Sequence, residues 1–211
     1  MTMDMFSQEF WDERYASQGQ VWSGNPNPHL VSQASELPSG RALDVGSGEG
    51  ADALWLAGRG WQVTALDVST VALQRGASRA AEADADVARR IHWLHGDVLT
   101  WVPAPASYDL VSAQFMHLPP TPRASLFARL ATAVAPGGTL LIVGHHPSDL
   151  QTTVRRPPAP ELFFTASEVA ASLDPEEWDV VVDAAIARPA TDPEGRTVTI
   201  HDAVLRARRH G

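Results

Sequence analysis

From residue 42 to residue 145, short apolar runs alternate with helical stretches that carry one apolar face. Residues 42–45 read as a strand stopping in a glycine-rich turn. Residues 51–59 read as a helix with Ala53, Leu54, Leu56 and Ala57 facing inward, ended by Gly58 and Gly60. A second strand over 62–68 closes on Asp67, and Ser69 is placed to cap a helix over 70–85. Strands follow at 91–94 and 108–115. A helix over 122–134 has proline near its first turn, where the missing N–H does no harm. Pro136-Gly137-Gly138 reads as a turn, and 139–145 as a continuously apolar strand, hence buried on both faces. Alternation of this kind predicts a parallel sheet with helices on both sides.

The rest of the chain breaks the rhythm. Thr165 followed by Glu168 is a capping-box pattern for a short helix. Strands are expected over 179–187 and 197–206, joined by the turn Asp192-Pro193-Glu194-Gly195. Two strands joined so closely run antiparallel. The proline-rich stretch 147–160 reads as a lid or wall beside a pocket.

In such sheets ligands bind beyond the carboxyl ends of the strands, where Asp44, Asp67, Asp97, Gln114 and His145 all fall. Asp44 precedes the run Gly46-Ser47-Gly48-Glu49-Gly50. An anion there does nothing for a pyrophosphate but suits a cationic, amino-acid-bearing ligand.

Composition narrows the picture. The 211 residues suit one domain. A net charge of -9 argues against a general binder of nucleic acid, and the basic run 206–209 reads as a solvated chain end. No cysteine is present, which removes thiolate ligands and a cysteine nucleophile and fits a cytoplasmic protein. The first residues lack the pattern of a signal peptide, and no apolar run approaches the roughly 20 residues of a membrane span. No acid ends the fourth strand at Gln114-Phe115-Met116-His117, so no metal site is expected.

Taken together, Asp44 to Gly50, Asp67, Gly96-Asp97-Val98 and Ala135-Pro136-Gly137-Gly138 resemble the class I S-adenosylmethionine-dependent methyltransferase family from about residue 40 onward. The resemblance implies an α/β fold, a Rossmann-like seven-stranded mixed sheet with helices on both faces and an antiparallel C-terminal hairpin. It implies S-adenosyl-L-methionine as cofactor. Gly46, Ser47 and Gly48 would lie under its methionine part and Asp44 would hold the ammonium. Asp67, with Val68 beside it, would take the ribose hydroxyls. Asp97 would accept from the adenine amino group, Val98 would offer its backbone N–H, and Gln114 would line the methionine end.

Trp11-Asp12-Glu13-Arg14-Tyr15, Trp22-Ser23-Gly24 and Pro28-His29-Leu30 are similar to the entry segment of thiopurine, thiol and halide methyltransferases, and the stretch ending Asp192-Pro193-Glu194-Gly195-Arg196 to tellurite methyltransferases. This resemblance makes residues 1–38 a helical cap over the pocket of a single domain with a core at 39–211. It makes Trp11, Arg14, Tyr15 and Trp22 contacts of a small-molecule methyl acceptor, Arg14 suiting an oxyanion. A thiol, chalcogen oxyanion or other soft nucleophile needs little beyond alignment. A phenol or amine needs a base, for which His117, His145 and His146 are candidates, and alternation along the strand sends only one of the last two into the pocket. Two readings from other classes stay open: an NAD-dependent oxidoreductase gripping a ribose through Asp67, and a non-catalytic S-adenosylmethionine-binding protein.

Overall fold

The computed structural model describes residues 5–156 and 159–211. The first four residues of the expected cap, and Pro157 and Pro158 of the expected lid, lie outside the described residues. The chain enters through helices α1 (Gln8–Ala16) and α2 (Pro28–Ala34). It then alternates β1 (Arg41–Val45), α3 (Ala51–Gly58), β2 (Gln62–Asp67), α4 (Thr70–Ala83), α5 (Ala85–Arg89), β3 (Ile91–His95), β4 (Tyr108–Gln114), α6 (Pro120–Ala133) and β5 (Val134–His145). Two 3-10 turns, α7 (Ala166–Ala170), β6 (Trp178–Thr191) and β7 (Thr197–Arg209) complete it.

The seven strands form one sheet in the order β3-β2-β1-β4-β5-β7-β6. β1 to β5 are parallel, and β7 runs antiparallel between β5 and β6. The strand order reverses between β1 and β4, and at such a switch point the loops diverge and leave a crevice.

Period-two alternation divides the core between the two faces. Leu43, Val45, Leu140 and Ile142 point to the side covered by α6, which buries Leu126, Phe127 and Leu130 at helical spacing. Each of these large side chains gives roughly 1.5–3 kcal/mol on burial. Ala42, Leu110, Leu141 and Val143 point to the side covered by α2 and α3. By the same alternation Asp44, Gln114 and His145 leave the carboxyl ends of β1, β4 and β5 on the α2–α3 side.

Several expectations are corrected. Pro136-Gly137-Gly138 is no free turn. Tyr108 pairs with Val134 and Leu110 with Thr139, so residues 135–138 bulge within β5, with Gly137 at φ +77°. The run 206–209 is no solvated end either. It is paired in β7, Ala207 is wholly buried, and Arg209 Nη1 donates to the Val134 carbonyl at 2.8 Å. β6 is longer than expected at both ends, and β7 starts at Thr197 as expected but runs on to Arg209. The helix expected over 70–85 stops at Ala83, because Asp84 turns extended and its carboxylate caps α5. The helix expected at 122–134 begins at Pro120 and ends at Ala133. The capping box at Thr165 and Glu168 forms with both its bonds. The lid segment is tied down: Asp149, 1% exposed, accepts from Arg156 at 2.7 Å and from the His201 N–H at 2.8 Å.

Candidate active site

The loop after β1 is built around left-handed glycines. Gly46, Gly48 and Gly50 have φ of 70°, 54° and 80°, a region that costs any other L-residue strain. The Gly46 and Ser47 N–H groups both donate to the Leu66 carbonyl, at 2.8 and 3.0 Å, which fastens the loop to the end of β2. Asp67 fastens it further. Its Oδ2 accepts the Gly48 N–H and its Oδ1 the Ser69 N–H, each at 2.8 Å. Burial pushes the Asp67 carboxyl above the ordinary range despite these bonds.

Asp44 is 2% exposed. Burial first, then the charges of Asp52 and Asp67, hold its pKa well above the ordinary value, although it accepts the Ala53 N–H. Its Oδ2 has no hydrogen-bond partner, and neither do the buried Ser47 Oγ and Gln114 Oε1. Gln114 is oriented by its own amide, which donates to Ser112 Oγ at 2.8 Å. Three acceptor atoms therefore stand unpartnered around one glycine loop. Buried polar atoms are rarely left so, and a three-donor cation is the group that satisfies such a set.

Asp97 stands half-buried after β3, where its Oδ1 accepts the Leu99 N–H at 2.8 Å. Val98 is buried, and its carbonyl accepts from Arg129 at 2.6 Å. The Val68 carbonyl lies 3.1 Å from His95 Nε2.

The N-terminal segment lies over this loop. Tyr15 is buried, and a Cβ added at Gly48 would fall 2.8 Å from its hydroxyl. Trp22 Nε1 donates to that hydroxyl at 2.8 Å. Burial and the nearby Asp67 charge raise the phenol's pKa, so it stays neutral. Trp11 packs against both rings, and the Arg14 guanidinium sits 5.5 Å from Trp11 and 5.4 Å from Trp22. Three acids hold the segment down. Asp12 accepts from Ser69 Oγ at 2.6 Å. Buried Glu49 accepts the Val21 N–H at 3.1 Å and pairs with Arg75 at 3.2 Å. Asp52, pushed up to about 6 by burial, accepts the Asn27 N–H at 2.6 Å.

Between this segment, the loop and β6–β7 opens a cleft of about 510 Å³, with Trp22, Ser47, Asp52, Phe115, Arg188 and Asp202 on its walls. Phe115 has φ 56°, an uncommon conformation for a bulky residue and one that clusters at functional sites. Its ring lies 4.8 Å from His145, which stacks on His117 at 4.4 Å. Burial and the neighbouring His145 push His117 down to about 3, so it is neutral, and its Nε2 accepts the His145 N–H at 3.4 Å.

His146 departs from its neighbour. Its Nδ1 accepts the Ser148 N–H at 3.2 Å and caps the 3-10 turn that follows. The fold thus brings Asp44, Gly46, Ser47, Gly48, Asp67, Gln114, Tyr15 and Trp22 together, while His117 and His145 pack beside Phe115, which lines the cleft, and are not themselves among its lining residues. Trp11 and Arg14 form an outer layer. Among the described residues no cluster of three or more His, Asp or Glu is arranged for a metal ion. A separate cleft of about 540 Å³ opens at the amino ends of the strands, but its Arg41 and Arg89 are already paired with Asp109 and Asp86.

Sequence reasoning quoted Glu49 within the glycine loop and His29 within the entry segment without giving either a role, and it missed Asp52, Arg188 and Asp202. Asp52 carried a signal, since it lies two residues beyond the loop. Arg188 and Asp202 did not, because long-range pairing across the hairpin brings them in.

Residues 42–138 match the family described as "Methyltransferase domain". An uncharacterized methyltransferase of Mycobacterium tuberculosis is 37% identical over 128 residues, 59% of this chain and 60% of that protein. A probable thiol methyltransferase of Arabidopsis thaliana is 31% identical over 137 residues, 62% of this chain and 59% of the relative. The chain thus spans about 60% of the length of the curated relatives it matches. The crystal structure of TehB from Haemophilus influenzae superposes with a TM-score of 0.70 over 97% of this chain and 67% of that one, at 18% identity, a likeness of fold.

Proposed function

We propose that this chain is a class I S-adenosylmethionine-dependent methyltransferase, in keeping with the methyltransferase domain matched at 42–138, and that it moves a methyl group from S-adenosylmethionine to a small-molecule acceptor. The observation that carries this is the trio of unpartnered acceptors, Asp44 Oδ2, Ser47 Oγ and Gln114 Oε1, around a loop of left-handed glycines. An amino-acid ammonium offers the donors they lack. Asp67, already gripped by two backbone amides, keeps lone pairs for ribose hydroxyls, and Asp97 and Val98 stand at the next strand end for the base. S-adenosylmethionine supplies, when bound, an electrophilic methyl carbon on a sulfonium sulfur.

The chain's own contribution is alignment and dryness. Tyr15 and Trp22 lie over Gly48, and buried Tyr15 shields that side of the loop from water. Holding two reactants in line supplies roughly 7–11 kcal/mol. A thiol or another soft nucleophile fits a site that does little more, and the Arabidopsis relative is named for thiols. On this reading residues 1–38 cap a single domain with its core at 39–211, working on a small acceptor in the cytoplasm, with no nucleic acid or membrane as partner. Arg14, poised over two indoles, suits an anionic group on the acceptor.

Calorimetry with S-adenosylmethionine, S-adenosylhomocysteine and NAD tests the cofactor. Binding of the first two and not the third is expected, and the reverse ends the proposal. Release of S-adenosylhomocysteine across thiols, chalcogen oxyanions, phenols and amines separates an enzyme from a protein that only binds the cofactor.

A further inference from the structure

Asp202 is wholly buried at the middle of the C-terminal hairpin, and the function just proposed does not use it. In register it stands directly opposite His145 of β5 and Ile186 of β6. Three basic side chains from three elements converge on its carboxylate. His29 Nε2 of α2 lies 3.0 Å from Oδ2. Arg188 of β6 bonds it twice, through Nε to Oδ2 and through Nη2 to Oδ1 at 3.2 Å. His145 Nδ1 lies 3.7 Å from Oδ1. Burial alone would raise this carboxyl, but the nearby His145 and the bonds with His29 and Arg188 hold it far below the ordinary range, so it is an anion.

His145 Nδ1 is buried and has no partner at hydrogen-bond distance. Closing the gap to Oδ1 takes a shift of under an ångström. The polar atom nearest Nδ1 is on the Asp202 carboxylate, which favours the proton there and leaves Nε2 its lone pair. Among the described residues His145 Nε2 makes no hydrogen bond and is not one of the buried unpartnered polar atoms. The ring packs against both His117 and Phe115, and Phe115 and Asp202 both line the cleft. The charged groups around it are Asp202 and Arg188, with the His29 ring also on Asp202 and with Arg156 and Arg123 acting on the stacked His117. His117 is neutral and does not oppose a charge on His145. Arg188 offsets much of the Asp202 charge, so the acid acts mainly by orientation.

We propose that His145 is the base that deprotonates the methyl acceptor, with Asp202 as its positioning residue. The inference rests on the methyltransferase reading above and deepens it: the acceptor carries an X–H proton, as in a phenol, an amine or an un-ionised thiol. The X–H bond breaks and a proton joins His145 Nε2. The electron pair stays on X and forms the new bond to carbon, while the carbon–sulfur pair returns to the departing sulfide. Asp202 Oδ1 accepts from Nδ1–H throughout.

The first test uses the whole chain, ring-15N-labelled at histidine, with no ligand. Long-range 1H–15N correlation reports which nitrogen of His145 is protonated in the neutral ring, the signal being assigned by its loss in His145→Gln. We expect Nδ1–H, against the Nε2–H that free histidine favours, and a return to Nε2–H in Asp202→Asn. Nε2–H in the unsubstituted chain overturns the proposal. Asp202→Asn strips Arg188 of its counter-ion and can unfold the chain, so His145→Gln carries the second arm. With S-adenosylmethionine present at pH 8, kcat is measured on phenol, which is protonated there, and on thiophenol, which is not. His145→Gln is expected to lose about 100-fold or more on phenol, the usual worth of a general base, with KM unchanged and thiophenol little affected. Equal losses on both overturn the base assignment. So does a chain that binds S-adenosylmethionine but methylates neither, which leaves the cofactor reading standing. Failure to bind S-adenosylmethionine defeats the methyltransferase reading instead and leaves the tautomer result intact.

Discussion

Asp44 shows what one residue gives up for a ligand. Its carboxyl is buried with one oxygen unpartnered, and its pKa is raised. A carboxyl with a raised pKa binds its proton more tightly folded than unfolded. Its cost is therefore absent below the ordinary carboxylate range near 4 and grows as pH rises through the folded value. Asparagine keeps the acceptor for the Ala53 N–H and removes the charge. Asp44→Asn should melt higher than the parent at pH 7.5, with the gain shrinking toward pH 4.5. The same change leaves a bound ammonium without its anion, a loss of about 2–5 kcal/mol for a buried charged pair, so S-adenosylmethionine should bind at least ~30-fold more weakly. Thermal melts and calorimetry on one preparation read both signs. An Asp44→Asn chain that is destabilised, or that binds the cofactor as before, contradicts the role.

At the scale of elements, the N-terminal segment is held by side chains rather than by a packed core of its own. Glu49 takes the Val21 and Trp22 N–H groups and the Arg75 guanidinium. Bonds to a charged group are worth roughly 1.5–3 kcal/mol each. Glu49→Ala should therefore speed amide exchange at Val21 and Trp22 by about tenfold or more, with strands β1 to β5 unchanged. Exchange mass spectrometry resolves this, and uniform acceleration through the sheet would mean that Glu49 serves the whole fold instead.

The elements were readable from the sequence where the pattern was long. β1, β4 and β5 carried short apolar runs, β3 alternated as a half-exposed strand, and the hairpin turn at Asp192-Pro193-Glu194-Gly195 was local chemistry. α2 and α5 went unread because each is under eight residues and is set by its cap, Asn27 or Asp84, more than by periodicity. The bulge at residues 135–138 looked like a turn because a left-handed Gly137 serves either. The cofactor side of the site was readable because one loop and the strand ends supply it. His145 was readable from its strand end too, but its surroundings were not. Asp202, Arg188 and His29 meet only through the pairing of β5, β7 and β6 and the packing of α2, and nothing in their local sequence says so.

Across the whole molecule, opposed titrations share one rim. Asp44, Asp52 and Asp67 are all raised by burial and favour the folded chain at lower pH. Moving Asp52 from 3.8 to about 6 costs about 3 kcal/mol once it is ionised. His117, pushed down to about 3, works the other way. It stays neutral in the fold but takes up a proton when unfolded below about 6.5, so its contribution is whole at pH 7.5 and drains away as pH falls through that value. By pH 5 the loss is about 2 kcal/mol. The two sets oppose each other between pH 5 and 7, which flattens the stability of the intact chain. Removing one side exposes the other. His117→Gln loses the ring contacts with Phe115 and His145 at every pH, a constant offset. Relative to the parent it should gain about 2 kcal/mol on going from pH 7.5 to pH 5, because the acid-side penalty has gone. Urea unfolding of both chains at the two pH values measures the difference with the offset cancelled. A difference that does not change with pH would mean that His117 is not held neutral, and the acceptor wall would then carry a charge facing His145.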